Sequence, residues 1–230
     1  INSKQVKVST GLLVELYSDL HWRSGDPEEA FQALLARMSS KLNNERTSPL
    51  SNRMVVTGKK KTQYRCLTPT SIRDGLGVAK LLGIFSKGAI VPGPLSTSNS
   101  SAYDANLKKG LSVLTECFRM LATQLESQWK AGDGPGGYLC TNNGIRALFH
   151  VIKDIADHIG RKDGADLYLF SADETFTLIR PYLQSLIEYF KTAGPQEIQS
   201  FRRIGSSLTA VRQQSFGMES HIQKAFPTFR

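Results

Sequence analysis

The chain has 230 residues, a net charge of +9 and 40% hydrophobic residues, enough to bury a core as one large or two small domains. No apolar run approaches the roughly 20 residues that cross a bilayer, so the sequence predicts no membrane contact and a cytoplasmic location. Three distant cysteines and four scattered histidines fit neither a disulfide framework nor a metal site. We therefore expect buried thiols in a reducing compartment, and no metal or cofactor.

The N terminus is unusual because the first residue is Ile1 and no start methionine or leader precedes it. We interpret the chain as a piece of a longer polypeptide, cut in the middle of a structural element. Accidental trimming would give the same first residue, so the sequence leaves both explanations open.

Positive charge is concentrated in two blocks. Ten basic residues accompany two acidic ones in residues 51–110, and five accompany one in residues 201–230. Clustered positive charge is typical of a surface that binds a polyanion, although it also keeps proteins soluble. The distribution favours a nucleic acid or another phosphate-bearing partner.

The first elements predicted along the chain are two helices and a hairpin. Residues 10–21 have apolar side chains at helical spacing, and Asp26 with Pro27 predicts the start of a second helix. Residues 54–57 and 63–67 are predicted to be strands, joined by a turn that carries three lysines. Those lysines either reach a phosphate backbone or block edge-to-edge aggregation.

The segment after the hairpin divides the chain. A helix is predicted over residues 70–85, although its glycines weaken that prediction. Residues 88–101 are rich in Gly, Pro and Ser and predict a flexible connection between a first domain, 1–87, and a helical domain, 102–230.

The second half is predicted to be helical throughout. An amphipathic helix over 107–129 leads to the glycine-rich residues 132–137, which lack the spacing of a phosphate-binding loop and predict a flexible connection. Ser171 with Glu174 predicts a capping box. The tail is interpreted as two short helices around Gly217, either a DNA-binding helix-turn-helix or two packing helices. The predicted fold is mainly α, a helical bundle-like domain with one small β-hairpin.

No catalytic motif is recognisable in the sequence. It contains no G-x-S-x-G, H-E-x-x-H, Walker A or C-x-x-C pattern and no compact group of carboxylates. An active site assembled from distant residues stays open, so enzyme activity is undecided. The residues predicted to bind nucleic acid are the cations Arg53, Lys59, Lys60, Lys61, Arg65, Arg202, Arg203 and Arg212.

Several short segments, in their order, resemble the DGQHR-domain family, whose members include the DndB-like proteins of DNA phosphorothioation systems. The resembling segments are residues 1–8, 40–43, 48–54, 67–68, the amphipathic helix ending at Trp129, and residues 142–149 with the sequence Asn-Asn-Gly-Ile-Arg-Ala-Leu-Phe. Within the last segment, Asn143 and Gly144 are the motif residues. Each segment is short, so the resemblance depends on their order.

The resemblance implies a protein that works on or near modified DNA, as a regulatory or accessory factor of a DNA-modification or phage-defence system. The first half of such families is similar to ParB-like domains and carries the D-G-Q-H-R signature, which is absent here. Only Asn2 and Gln5 remain from the edge of that site. Two alternatives stay open: the C-terminal half of a ParB-like nucleotide-hydrolysing or nuclease enzyme, and a helical scaffold for protein partners.

Overall fold

A computed structural model describes residues 10–22, 24–56, 58–164 and 166–229. These residues are mainly helical, which confirms the predicted fold class. The helices are α1 (Thr10–His21), α2 (Pro27–Asn44), α3 (Pro69–Ala79), α4 (Tyr103–Gln124), α5 (Glu126–Ala131), α6 (Asn142–Asp163), α7 (Ala172–Thr192), α8 (Pro195–Arg203) and α9 (Leu208–Ala225). A short 3₁₀ helix lies at Leu167–Leu169, and the strands β1 (Gly83–Ser86) and β2 (Ala89–Pro92) pair antiparallel.

Helix starts follow the local capping signals. The Asp26 carboxylate accepts a hydrogen bond from the backbone N–H of Glu28 at 2.8 Å and so caps α2. Ser171 and Glu174 form a reciprocal capping box at the start of α7. Both caps satisfy backbone donors that a helix leaves unpaired in its first turn. The start of α2 and the capping box of α7 are therefore confirmed.

The β-hairpin lies at β1 and β2, and the prediction of a hairpin over 54–67 is wrong. Lys87 and Gly88, between the strands, both have positive φ, 52° and 79°, as a two-residue hairpin turn requires. Among the described residues of the predicted segment, Met54 and Leu67 form an isolated parallel bridge. Gln63 O instead accepts a hydrogen bond from Asp133 N, so this part of the segment pairs with a residue outside the predicted hairpin.

The hairpin also changes the boundaries around it. α3 ends at Ala79 because Lys80 adopts a left-handed conformation, so the predicted helix 70–85 is six residues too long (85 minus 79). Ala89–Pro92 belongs to β2 rather than to a flexible connection. Further along that segment, buried Asn106 accepts a hydrogen bond from Thr97 N at 2.7 Å and donates to the Asn99 and Ser100 carbonyls, which holds the loop in place.

One cluster of buried apolar side chains runs through the described residues. α6 lies at its centre and packs against α3, α7 and α9, while α4 packs against α2 and α7. Helices before and after residues 88–101 thus pack together, since α3 contacts α6 and α2 contacts α4. The division into two domains stays a prediction. None of the described helices combines the length and apolarity that crossing a bilayer requires.

The described residues of the predicted tail, from position 206 onward, form one helix, α9, and not two short helices around Gly217. α9 is continuous through Gly217, and the turn that precedes it contains Gly205 at φ 103°. A Cβ atom at Gly217 would lie 3.1 Å from the Phe201 ring of α8. This glycine therefore allows close packing within a helix, and the predicted helix-turn-helix around it is wrong.

Candidate nucleic-acid interface

The lysine loop, residues 58–66, projects from a fixed base. Its two ends are joined by hydrogen bonds from Val55 N to Leu67 O (2.8 Å) and from Leu67 N to Arg53 O (3.0 Å). Met54 and Leu67 are fully buried at this base. The three lysines of the loop are exposed, so they carry their charges on an anchored support.

The glycine loop, residues 132–137, supports the lysine loop. Asp133 N donates a hydrogen bond to Gln63 O at 3.0 Å. A Cβ atom at Gly132 would lie 2.3 Å from the same carbonyl oxygen, and one at Gly134 would lie 2.9 Å from Gln63 Oε1. The glycines let two backbones approach each other, so this segment is a contact surface and not the free connection that the sequence suggested.

Arg202 fastens the glycine loop to α8. Its half-buried guanidinium donates hydrogen bonds to the carbonyl oxygens of Gly134 (2.6 Å), Asp133 (2.9 Å) and Gly137 (3.2 Å). Because these donors are directed into the protein, Arg202 holds the glycine loop in position. The neighbouring Arg203 is exposed and lines a shallow groove beside the glycine loop.

The Asp133 carboxylate connects the two basic blocks. It lies 3.0 Å from Lys61 Nζ and 3.3 Å from the Arg202 guanidinium. The two cations were predicted to lie in separate patches, but here both contact the same carboxylate. One carboxylate between two cations leaves a positive charge at this point of the surface.

A polar cleft of about 260 Å³ opens beside these residues, at the N terminus of α6. Unpaired N–H groups and the helix dipole make such a terminus favourable for an anion. The cleft is lined by Lys61, Cys66, Asp133, Tyr138, Thr141, Asn142, Asn143 and Arg202.

The Asn-Asn-Gly motif fixes the geometry of this cleft. Asn142 Oδ1 accepts a hydrogen bond from Thr68 N at 2.9 Å, and Asn143 Nδ2 donates one to Gly205 O at 2.9 Å. A Cβ atom at Gly144 would lie 2.2 Å from Tyr138 O. The motif therefore ties neighbouring loops to the start of α6, and its glycine is required by a close backbone approach.

Arg53 is fully buried, which corrects the expectation that it belongs to a surface patch. Its Nε donates to Cys140 Sγ at 3.1 Å, one of its Nη atoms donates to Trp129 O, and its guanidinium lies 3.9 Å from the centre of the Tyr64 ring. The residues that bury Arg53 are distant in sequence. The basic segment around it therefore could not indicate that it is buried.

Arg212 and Arg65 occupy different settings. Arg212, on α9, lies 2.5 Å from Asp154 and 3.4 Å from Glu219, so acidic partners neutralise it. Arg65 is half-exposed within the lysine loop, and its backbone N–H donates to Thr62 Oγ1 at 2.8 Å. The structure thus brings Lys61, Arg202 and Arg203 to the glycine loop, with Lys59, Lys60 and Arg65 in the adjoining lysine loop, whereas Arg53 is buried and Arg212 pairs with Asp154. Asn2 and Gln5 lie outside the described residues.

The thiols near the cleft are not poised for chemistry. Burial raises the pKa of the Cys66 thiol, and it raises that of Cys140 to about 12. A thiol with a raised pKa contains little of the nucleophilic thiolate at neutral pH. Among the described residues, no group of three His, Cys, Asp or Glu side chains is arranged to hold a metal ion. The arrangement is suited to binding an anion.

Tyr64 and Asp133 were not among the predicted site residues. Tyr64 is 48% exposed in the lysine loop, and Asp133 joins the two basic blocks. The only local signal for Tyr64 was its position as an aromatic residue among cations. No local pattern indicated a role for Asp133. The chain matches no protein-family model, and no curated protein or solved structure is significantly similar to it.

Proposed function

We propose that this chain binds DNA through the surface formed by the lysine loop, the glycine loop and the C-terminal end of α8. The observation that carries the proposal is the contact of one carboxylate, Asp133, with both Lys61 and Arg202. This contact joins two basic blocks of the sequence into one surface.

The biological setting is proposed from the family resemblance. The segments that resemble the DGQHR-domain family, with Asn143 lining the cleft and Gly144 packed against Tyr138, support a regulatory or accessory role in a DNA-modification or defence system, where protein partners of that system are also expected. The contacts available on this surface are ammonium and guanidinium groups that pair with phosphates, and such contacts carry no sequence information by themselves.

The experiment is a salt titration of DNA affinity. Replacing Lys59, Lys60 and Lys61 with alanine removes three phosphate contacts, and each contact contributes about −0.9 to the slope of log K against log salt concentration. We expect the triple variant to bind duplex DNA more weakly at low salt, with a slope shallower by about 2 to 3.

A matched control removes the same charge elsewhere. The triple variant of Lys41, Lys191 and Lys224, all exposed and outside the interface, also lowers the net charge by three. It should change the slope far less than the lysine-loop variant. Equal changes in both variants would mean that only net charge matters, and an unchanged slope in the lysine-loop variant would remove this loop from the interface.

A protein-interaction scaffold is the second candidate, and α1 favours it. Leu13, Leu16 and Leu20 share one face of α1 and are 52%, 47% and 78% exposed. The opposite face, with Val14 and Ser18, is buried. Exposed apolar stripes often mark protein interfaces. Filter binding at two salt concentrations distinguishes the candidates, because a pure scaffold retains no DNA at either one.

A further inference from the structure

Tyr64 is an exposed aromatic residue of the lysine loop. The Arg53 guanidinium covers one face of the ring, at 3.9 Å from its centre, yet the residue is 48% exposed. Since Arg53 occupies one face of the ring, a planar group would approach the ring from the opposite face. An aromatic ring open to solvent on one face is a surface on which a planar group can stack.

The ring is held in place from below. Arg53 is 0% exposed, and hydrogen bonds to Cys140 Sγ and Trp129 O fix its guanidinium. A cation over an aromatic face is attractive, more so where the cation is removed from water. A ring fixed in this way loses little conformational freedom when a ligand stacks on it.

Cations flank Tyr64 along the lysine loop. Lys59, Lys60 and Lys61 precede Tyr64 in the same loop and are exposed, and Arg65 follows it. Lys130 of α5 also lies within electrostatic range of the Tyr64 hydroxyl. An aromatic platform among cations matches the two requirements of single-stranded nucleic acid, a base that stacks and a backbone that is neutralised.

We propose that Tyr64 stacks on an unpaired base, so that this surface takes single-stranded or locally opened DNA in preference to intact duplex. Bases inside a duplex already stack on their neighbours and cannot cover a protein ring, whereas an unpaired base can. The inference rests on the proposed function, because the lysine loop must contact the backbone for the base to reach Tyr64.

Phe216 provides an internal comparison. It is 43% exposed on α9 and also lies under an arginine, with the Arg212 guanidinium 4.4 Å from its ring centre. Arg212 is paired with Asp154 and Glu219, so two carboxylates offset the cation beside this second aromatic residue. Both aromatic residues are therefore exposed and lie against an arginine, and they differ in the charges beside them.

The test measures affinity for a labelled single strand of about 16 nucleotides and for the duplex of the same length, using the full chain. Tyr64→Leu keeps an apolar cover over Arg53 but cannot stack. We expect it to weaken single-strand binding by about 5- to 150-fold and duplex binding by less than about 2-fold. Tyr64→Phe should bind both like the parent chain, and Phe216→Leu should change neither.

The outcomes separate the two proposals. If the lysine-loop alanine variant loses both ligands while Tyr64→Leu binds like the parent chain, DNA binding stands and stacking on Tyr64 is wrong. If the lysine-loop variant loses neither ligand, the proposed function itself is wrong. Equal losses of single strand and duplex in Tyr64→Leu also overturn the stacking.

A second measurement does not depend on the variant folding. Irradiation of the parent chain with an iodouracil-substituted single strand should join the strand to the peptide that contains Tyr64, identified by mass spectrometry, since stacked aromatic rings are favoured partners of this photochemistry. Attachment only to peptides outside the lysine loop would contradict the proposal.

Discussion

The ammonium nitrogen of Lys61 lies 3.0 Å from the carboxylate of Asp133. Asp133 stands in the glycine loop, whose backbone is bonded to the lysine loop through Gln63 and to α8 through Arg202. The same residue thus holds the basic surface together and offsets part of its charge. These two effects can be separated, because the first depends mainly on the backbone of Asp133 and the second on its side chain.

Replacement of Asp133 by Asn should increase DNA affinity. The amide keeps the size of the side chain and its capacity to accept a hydrogen bond, but it removes the negative charge beside Lys61. Exposed ion pairs contribute up to about 1 kcal/mol, so we expect an affinity about 2- to 5-fold higher at low salt. Fluorescence anisotropy with labelled DNA measures the change, which should shrink as salt is added.

Asp157→Asn is the matched control for that change. Asp157 is also paired with a lysine, Lys153, but stands 15 positions after Asn142 on α6, about 22 Å along the helix from the cleft. It should alter DNA affinity much less. An affinity for Asp133→Asn equal to or below that of the parent chain would mean that the carboxylate does not oppose binding.

Gly144→Ala should destabilise the protein although the position is helical. Alanine is favoured over glycine by about 1 kcal/mol in a helix. Here the added Cβ would lie 2.2 Å from the Tyr138 carbonyl oxygen, and a backbone atom cannot move aside as a side chain does. We expect a net loss of about 2 kcal/mol in the free energy of unfolding, measured in urea.

Gly77→Ala in α3 tests the reasoning behind that prediction. Its Cβ would meet only Leu35 Cδ1, at 3.3 Å, and this methyl group can shift. The substitution should therefore be neutral or slightly stabilising. If both glycines tolerate alanine equally, the close approach at Gly144 does not constrain the start of α6.

Local signals predicted what depends on a few neighbouring residues. The cap at Asp26 and the capping box at Ser171 are complete within four positions of sequence, and both were found where expected. The predicted hairpin failed because the register of residues 54–67 is set by distant partners, namely the glycine loop and the core. A two-residue turn at Lys87-Gly88 was the better local hairpin signal, but the Gly- and Pro-rich composition around it had suggested a connection.

The charges of the candidate site were predicted better than their arrangement. The lysine loop is exposed as expected, but the burial of Arg53 depends on Cys140 and Trp129, which no local pattern connects to it. Likewise, the meeting of Lys61 with Arg202 requires Asp133 from a third segment. A single sequence contains no information that pairs such distant positions directly.

Arg53→Ala should be strongly destabilising, and Arg53→Met should be less so. Alanine removes two hydrogen bonds and leaves a cavity in the core, at a cost of about 3 to 5 kcal/mol. Methionine fills most of that volume and removes the buried guanidinium charge. One nitrogen of that guanidinium, Nη1, has no hydrogen-bond partner among the described residues. We expect Met to cost at least about 1 kcal/mol less than Ala in urea unfolding. If both variants lose the same unfolding free energy, the stabilisation by Arg53 comes from its hydrogen bonds alone.

Lys109 should make stability depend on pH. It lies on α4, is 7% exposed, and its Nζ donates to Leu167 O at 2.8 Å. Burial lowers the pKa of Lys109 from 10.5 to about 8, and the attraction of Glu174 offsets only part of this effect. Below about pH 8 both the folded and the unfolded chain carry the proton, so the full cost of burying the charge is present.

As the pH rises from about 8 to 10.5, the folded chain releases this proton while the unfolded chain keeps it, so the contribution of Lys109 to stability increases. The difference in unfolding free energy between the parent chain and Lys109→Met should therefore grow with pH in favour of the parent, by at most about 1.4 kcal/mol per pH unit. Lys108→Met, at the exposed neighbouring position, removes the same charge and is the control for a general effect of charge removal. A constant difference for Lys109→Met would mean that Lys109 keeps an ordinary pKa in the folded chain.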